Sequence, residues 1–174
     1  IKMYKKISNL IKNIFQNYFE LAVAISATLI VLIALTMDKF LYLQACPLCV
    51  LTRYVFGLIG VSALIGILIK KRIVGGILII MSSIVGLFVT SRQIYIQNMS
   101  IEEIAQLSGC GMPFHTQVEY FGLVEAINRT LAGGPSCAED GWRFIFNFAE
   151  WGFLFFAIYL IASVYKYIKI GNIY

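Results

Sequence analysis

The chain has 174 residues, 60% of them hydrophobic and 13% charged, with a mean hydropathy of +0.83; that makeup excludes an ordinary soluble domain and reads as a membrane protein. A net charge of +5 would suit nucleic acid or an acidic lipid surface, but the charges stand at the ends of apolar runs, which points to a membrane and away from nucleic acid. Three prolines, one histidine (His115) and no Ser/Gly/Pro-rich linker predict a single domain without internal repeats.

A membrane-crossing helix needs about 20 mostly apolar residues. Four segments approach that length: Leu21–Met37, Val50–Ile69, Ile73–Thr90 and Phe144–Tyr165. With their flanks, the spans are expected at about 18–37, 50–69, 73–91 and 144–165, in one all-α four-helix domain over residues 1–174. Lys2, Lys5, Lys6 and Lys12 precede the first span, and Lys166 and Lys169 follow the last. Lys70, Lys71 and Arg72 form a tight basic turn between the second and third, so the positive-inside rule places that turn and both termini in the cytoplasm.

Two connections remain for the opposite, periplasmic side: a short one near Asp38–Ala45 and a long one over about 92–143. The long one carries Glu102, Glu103, Glu119, Glu125, Glu139 and Asp140 against Arg92, Arg129 and Arg143, in keeping with export. Within it, Ser100-Ile-Glu-Glu103 and Thr116-Gln-Val-Glu119 both have capping-box spacing. The second of these helices is expected to run to Leu131 and stop at Gly133-Gly134-Pro135. It lies either on the membrane surface or on the tops of the spans.

All four cysteines fall on the side assigned to the periplasm, as Cys46-Pro-Leu-Cys49 at the mouth of the second span and as Cys110 and Cys137 in the long connection. An even number in an oxidising compartment argues for disulfides. A structural bridge suits Cys110 with Cys137, where closing the loop would stabilise by roughly 3 to 4 kcal/mol in the chain-entropy picture. It suits Cys46 with Cys49 poorly, because two intervening residues close almost no loop; such pairs serve where a thiol is resolved by its neighbour.

Pro47 is a natural first helical residue, which puts Cys49 in a first turn whose free N–H groups and dipole favour an anion. Arg53 lies one turn on, on the same face. Both features favour the thiolate at Cys49, and Arg53 is the candidate to bind the carbonyl oxygens of a lipid-soluble electron acceptor. Repeated oxidation of a partner must send electrons somewhere. With no Rossmann fingerprint, no c-type haem motif and no histidine pair, a quinone in the bilayer is the simplest acceptor.

Four spans, Cys46-Pro-Leu-Cys49 with Arg53 opening the second, Arg92-Gln93 leaving the third, Cys110 and Cys137 in the next connection, and Gly133 through Trp151 together resemble the DsbB family of disulfide bond formation proteins, over about Glu20 to Tyr165. The resemblance implies a bacterial inner-membrane thiol oxidase. A reduced DsbA-like thioredoxin-fold partner attacks at Cys110, Cys46 exchanges with Cys137, Cys49 faces ubiquinone or menaquinone, and the long connection moves between partner and membrane. Thr52, Ala45 and Asn98 stand where relatives often carry glutamine, proline and histidine. Met112, Phe114 and His115 are candidate docking groups for the partner, and Glu150 is either functional or a cap or partner of Arg143.

Three alternatives remain open at this point. One is a paralogue with a dedicated partner. The second is a zinc-bound module built on the cysteines or His115, and the third a membrane scaffold with static disulfides.

Overall fold

The structure is a computed structural model that describes residues 2–41, 45–69, 72–107, 112–138 and 143–171, and for 2–17, 41, 72, 144 and 169–171 the backbone alone. The apolar runs form three long helices in succession, α1 (Lys2–Leu41), α2 (Pro47–Leu68) and α3 (Arg72–Gln97). Four short helices follow: α4 (Ile101–Ala105), α5 (Phe114–Phe121), α6 (Leu123–Ala132) and α7 (Pro135–Ala138). A two-residue antiparallel ladder, Arg143–Phe144 with Phe146–Asn147, then leads into α8 (Phe148–Gly171). Among the described residues four helices are long and apolar enough to cross a membrane: Tyr18–Phe40, Pro47–Leu68, Ile73–Gln97 and Phe148–Ile168. The chain is an all-α four-helix membrane protein. Lys70 and Lys71, which carry the basic turn, lie outside the described residues.

Helix α1 packs on α2, α2 on α3, and α3 on α8. Phe19, Val23 and Ala27 of α1, Phe56 and Ile59 of α2, Ile79 of α3, and Phe156 and Tyr159 of α8 fill one core, with the Phe56 and Phe156 rings stacked 4.1 Å apart. The tightest approach is between α2 and α3, where a Cβ on Gly75 would lie 2.6 Å from the Gly66 Cα, so both positions need a residue without a side chain. Buried Ser83 and Thr90 return their hydroxyl protons to carbonyls one turn back, Ile79 and Gly86, which satisfies them where lipid offers no partner.

Helices α1 and α8 are joined at the end nearer the two termini. The Lys166 ammonium donates to Glu20 Oε1 at 2.6 Å, the Tyr167 hydroxyl donates to the same oxygen at 3.2 Å, and both members of the ion pair are buried. Two turns further in, Ser26 Oγ and the Tyr159 hydroxyl share a hydrogen bond of 2.9 Å.

The long connection departs from expectation in two places. Ser100 does cap α4 through a reciprocal box with Glu103. The helix expected from Thr116 to Leu131, however, is two helices, because Gly122 adopts φ +79 and ψ 166, a backbone that ends α5 and starts α6. Helix α5 begins at Phe114 behind Pro113, so Thr116 is no cap. The last long helix begins at Phe148 rather than Phe144. Asn147 Oδ1 accepts from Glu150 N at 2.8 Å while Glu150 Oε2 accepts from Asn147 N at 2.9 Å, a capping box that accounts for Glu150 as a cap.

Candidate active site

The start of α2 organises the site. Pro47 has no N–H to lose, and the next N–H groups find no carbonyl one turn back. Sulfur takes two of them: Cys49 N donates to Cys46 Sγ at 3.2 Å, and Leu48 N donates to Cys137 Sγ. Val50 N reaches Cys46 O at 3.1 Å.

Cys46 stands between the other two thiols. Its Sγ lies 2.9 Å from Cys49 Sγ, and its thiol proton is also directed at Cys137 Sγ. Cys137 is buried with Cys46 in one cluster around Leu48, so the three thiols gather at the start of α2. The bond it donates to Cys137, then the one to Cys49 and then burial hold the Cys46 thiol protonated, pushing its pKa up. The same donor lowers the Cys137 thiol to about 6, against the effect of burial and aided by Leu48 N, Gly134 N and Ser136. One thiol is thereby kept as proton donor and its neighbour as thiolate, an arrangement suited to thiol exchange.

Cys137 arrives from the long connection. Arg92 on α3 donates from Nε to Leu131 O at 3.0 Å and from Nη2 to Ala132 O at 3.2 Å, and Gly133 then turns the chain at φ +85 against Ile96. Cys137 N closes on Gly134 O at 2.9 Å. Gln93, the residue after Arg92, is buried and donates from Nε2 to Cys49 Sγ at 3.0 Å and to Cys46 Sγ at 3.7 Å.

A cavity of about 380 Å³ occupies the gap between α1 and α8 beside these sulfurs. Its walls are Ile30, Met37, Phe56, Phe148, Trp151 and Phe155; its polar edge is Cys49, Arg53, Gln93, Gln97 and Asn147. Arg53 lines it, and its guanidinium is engaged by Asp38 through a two-pronged ion pair, Nη1 to Oδ2 and Nη2 to Oδ1, the second at 2.8 Å.

Of the predicted residues, Cys46, Cys49 and Cys137 meet, Arg53 faces the same cavity, and Cys110 lies outside the described residues. Asn98 donates from its amide to Ile94 O at the end of α3. His115 is exposed, while Phe114 is buried beside the Tyr54 ring, centroids 5.8 Å apart. Sequence reasoning missed Asp38, read only as a span boundary, and the contact of Gln93 with sulfur. An acid placed at the end of an apolar run and facing an arginine near the start of the next is the signal that could have found Asp38.

Comparison with known proteins decides the family. The model described as "Disulfide bond formation protein DsbB" matches residues 16–166. The chain belongs to the DsbB family. A protein named disulfide bond formation protein B from Polaromonas sp. is 31% identical over 147 residues, covering 82% of this chain and 85% of that one. Disulfide bond formation protein B 1 of Pseudomonas aeruginosa is 28% identical over 141 residues, 78% and 85% of the two chains. Its counterpart in Marinobacter nauticus is 28% identical over 142 residues, 79% and 83%. Disulfide formation by a multi-pass membrane oxidoreductase is therefore the chain's chemistry.

Proposed function

We propose that this protein reoxidises a DsbA-like thioredoxin-fold protein and passes the electrons through Cys110/Cys137 and then Cys46/Cys49 to a membrane quinone. The observation that carries the reading is the gathering of Cys137, Cys46 and Cys49 at the start of α2, with Cys46 and Cys49 at the edge of an apolar cavity. Each exchange moves two electrons. A partner thiolate attacks the Cys110–Cys137 bond and frees Cys137 as thiolate. The partner's second thiol then resolves the mixed disulfide, leaving the partner oxidised and Cys110 and Cys137 reduced. Attack by the Cys137 thiolate on a Cys46–Cys49 bond at Cys46 frees Cys49, and Cys110 resolves the Cys46–Cys137 bond, restoring Cys110–Cys137 and leaving a Cys46/Cys49 dithiol.

The cavity fits a quinone. Its volume lies in the range of small-ligand sites, about 300 to 1,000 Å³; its walls are flat aromatic and aliphatic groups, and Arg53, Gln97 and Asn147 offer donors at the edge for carbonyl oxygens. A bound quinone supplies an acceptor of two electrons and two protons. Around it, Phe148, Trp151 and Phe155 would hold a ring and exclude water, Arg53 would orient an oxygen, and Gln93 steadies the Cys49 sulfur. In the orientation the basic residues support, the sulfurs face the periplasm from the inner membrane and both termini face the cytoplasm.

The test supplies purified protein with a reduced thioredoxin-fold protein and a soluble quinone analogue. The expected result is quinone reduction in step with partner oxidation, abolished by Cys46→Ser or Cys49→Ser. Partner oxidation that persists without Cys46 and Cys49, or no quinone reduction by the intact chain, would refute the relay. Entry at Cys110 is read separately. Cys137→Ser, in which the Cys110–Cys137 bond cannot form, should accumulate a mixed disulfide on non-reducing gels when mixed with the oxidised partner, because Cys110 thiolate opens the partner's disulfide and frees its other sulfur as a thiol, and Cys110→Ser should give much less; the reverse would assign entry to Cys137.

A further inference from the structure

We infer that Arg92 is a positioning residue for thiol exchange: it latches the end of α6 to α3 and so delivers Cys137 to Cys46. The inference rests on the relay proposed above. Exchange needs the two sulfurs in near contact, so whatever holds Cys137 sets how readily the Cys46–Cys137 bond forms. Cys137 sits on α7, only four residues long. A helix of that length does not hold its own place, and Cys137 is placed by where α6 ends together with the packing of α7 on α3 and α2.

Several observations converge on that end. The carbonyls of Leu131 and Ala132 close α6, where no later residue of the helix can bond them. Arg92 takes both, at 3.0 and 3.2 Å, and its cation meets the negative end of the α6 dipole. The Tyr95 ring, 5.3 Å from the guanidinium carbon, flanks Arg92 on its own helix. One turn along the same face of α3, Ile96 is fully buried against Gly133; a Cβ on Gly133 would come 2.4 Å from Ile96 Cδ1, at a φ of +85 that favours glycine. Arg92 and Ile96 therefore seat the end of α6 closely on α3, and Cys137 follows within five residues. The Arg92 bond to Ala132 O is exposed, so water competes for it, and the latch is releasable when the connection must reach a partner.

The experiment measures how strongly the fold favours the Cys46–Cys137 bond. In a Cys49→Ser/Cys110→Ser background, the two remaining thiols are equilibrated with reduced and oxidised glutathione at fixed pH. As the bond forms, glutathione disulfide is cleaved and takes up the two electrons and two protons, so the bridged fraction gives an effective concentration. Adding Arg92→Ala should lower that concentration about tenfold or more, with Arg92→Lys in between, since the lost bonds are to a charged donor. Gly133→Ala should lower it as well, through an independent contact.

In the Cys110→Ser/Cys137→Ser background, Arg92→Ala should shift the Cys46–Cys49 equilibrium by less than about twofold, because that pair is held by its own helix turn. An equal loss there would make Arg92 a general fold residue and overturn the inference. So would an unchanged Cys46–Cys137 equilibrium in Arg92→Ala, whatever Gly133→Ala does. Failure of the background chain with Arg92 intact to form the bridge would overturn the relay and, with it, the latch.

Discussion

Replacing Cys46 by alanine should raise the pKa of Cys137, because the Cys46 thiol is the largest of the donors that bring it down to about 6. A hydrogen bond to a charged group contributes about 1.5 to 3 kcal/mol, and one pKa unit corresponds to about 1.4 kcal/mol. A thiol is a weak donor, so the lower end applies and the expected shift is about one unit or more. Leu48 N, Gly134 N and Ser136 remain as donors, so the shift should stop short of the ordinary 9.0. The assay is the pH dependence of alkylation of Cys137 in reduced protein in detergent, with Cys49 and Cys110 already serine. With Cys46 present the midpoint should fall near 6. The lowered pKa also makes reduced protein more stable at high pH: that stabilisation is complete above 9.0 and is lost as pH falls through about 6. Cys46→Ala should shrink it. A midpoint that moves by less than about 0.3 unit on removing Cys46 would refute its role as donor to Cys137, given that a lost charge-assisted bond should move it by about one unit.

Three further outcomes follow from contacts away from the sulfurs. Asp38→Asn should lower stability by about 1 to 2 kcal/mol, discounted from a fully buried pair because both side chains keep about a fifth of their exposure, and chemical unfolding in mixed micelles reads it. Glu20→Ala should cost more, about 3 kcal/mol, by taking from a buried ammonium the carboxylate it donates to, whereas Glu20→Leu with Lys166→Met should cost less; equal melting of the two variants would contradict the cause given. Gly75→Ala should destabilise by about 1 to 3 kcal/mol because backbone, not a flexible side chain, blocks the added methyl, and thermal melting of the detergent-solubilised protein checks it.

The spans are legible in sequence because an apolar run of that length has few other uses, and the Cys46/Cys49 site because a proline and a helix start fix its surroundings locally. What escaped depends on contacts between elements or on a single torsion. Val118, Phe121 and Val124 keep helical spacing straight across Gly122, so periodicity carries a helix through a point where φ +79 breaks it. Asp38 and Arg53 lie on different helices, and their pairing depends on how α1 is rotated against α2, which neither helix's own pattern records. The same holds for Gln93, which reaches sulfur from α3 because that helix continues through Gln97 rather than stopping near Thr90. The meeting of Cys137 with Cys46 could be expected from the family resemblance, but the hydrogen bonds that divide the protons between them could not.

The polar bonds between α1 and α8 make this pair of helices behave like a clothes-peg. Glu20 with Lys166 and Ser26 with Tyr159 are the pinched end, and the cavity lies between the free arms, from Ile30 about 6 Å past Ser26 to Asp38 about 18 Å past it at a rise of about 1.5 Å per residue. The width of the opening at Asp38 and Trp151 is then governed by side chains that touch no sulfur. A change such as Tyr159→Phe, which removes one of the two polar bonds of the pinch and touches no sulfur, should therefore alter how far the free arms part and, on the function proposed above, how readily a lipid-soluble acceptor enters sideways from the bilayer.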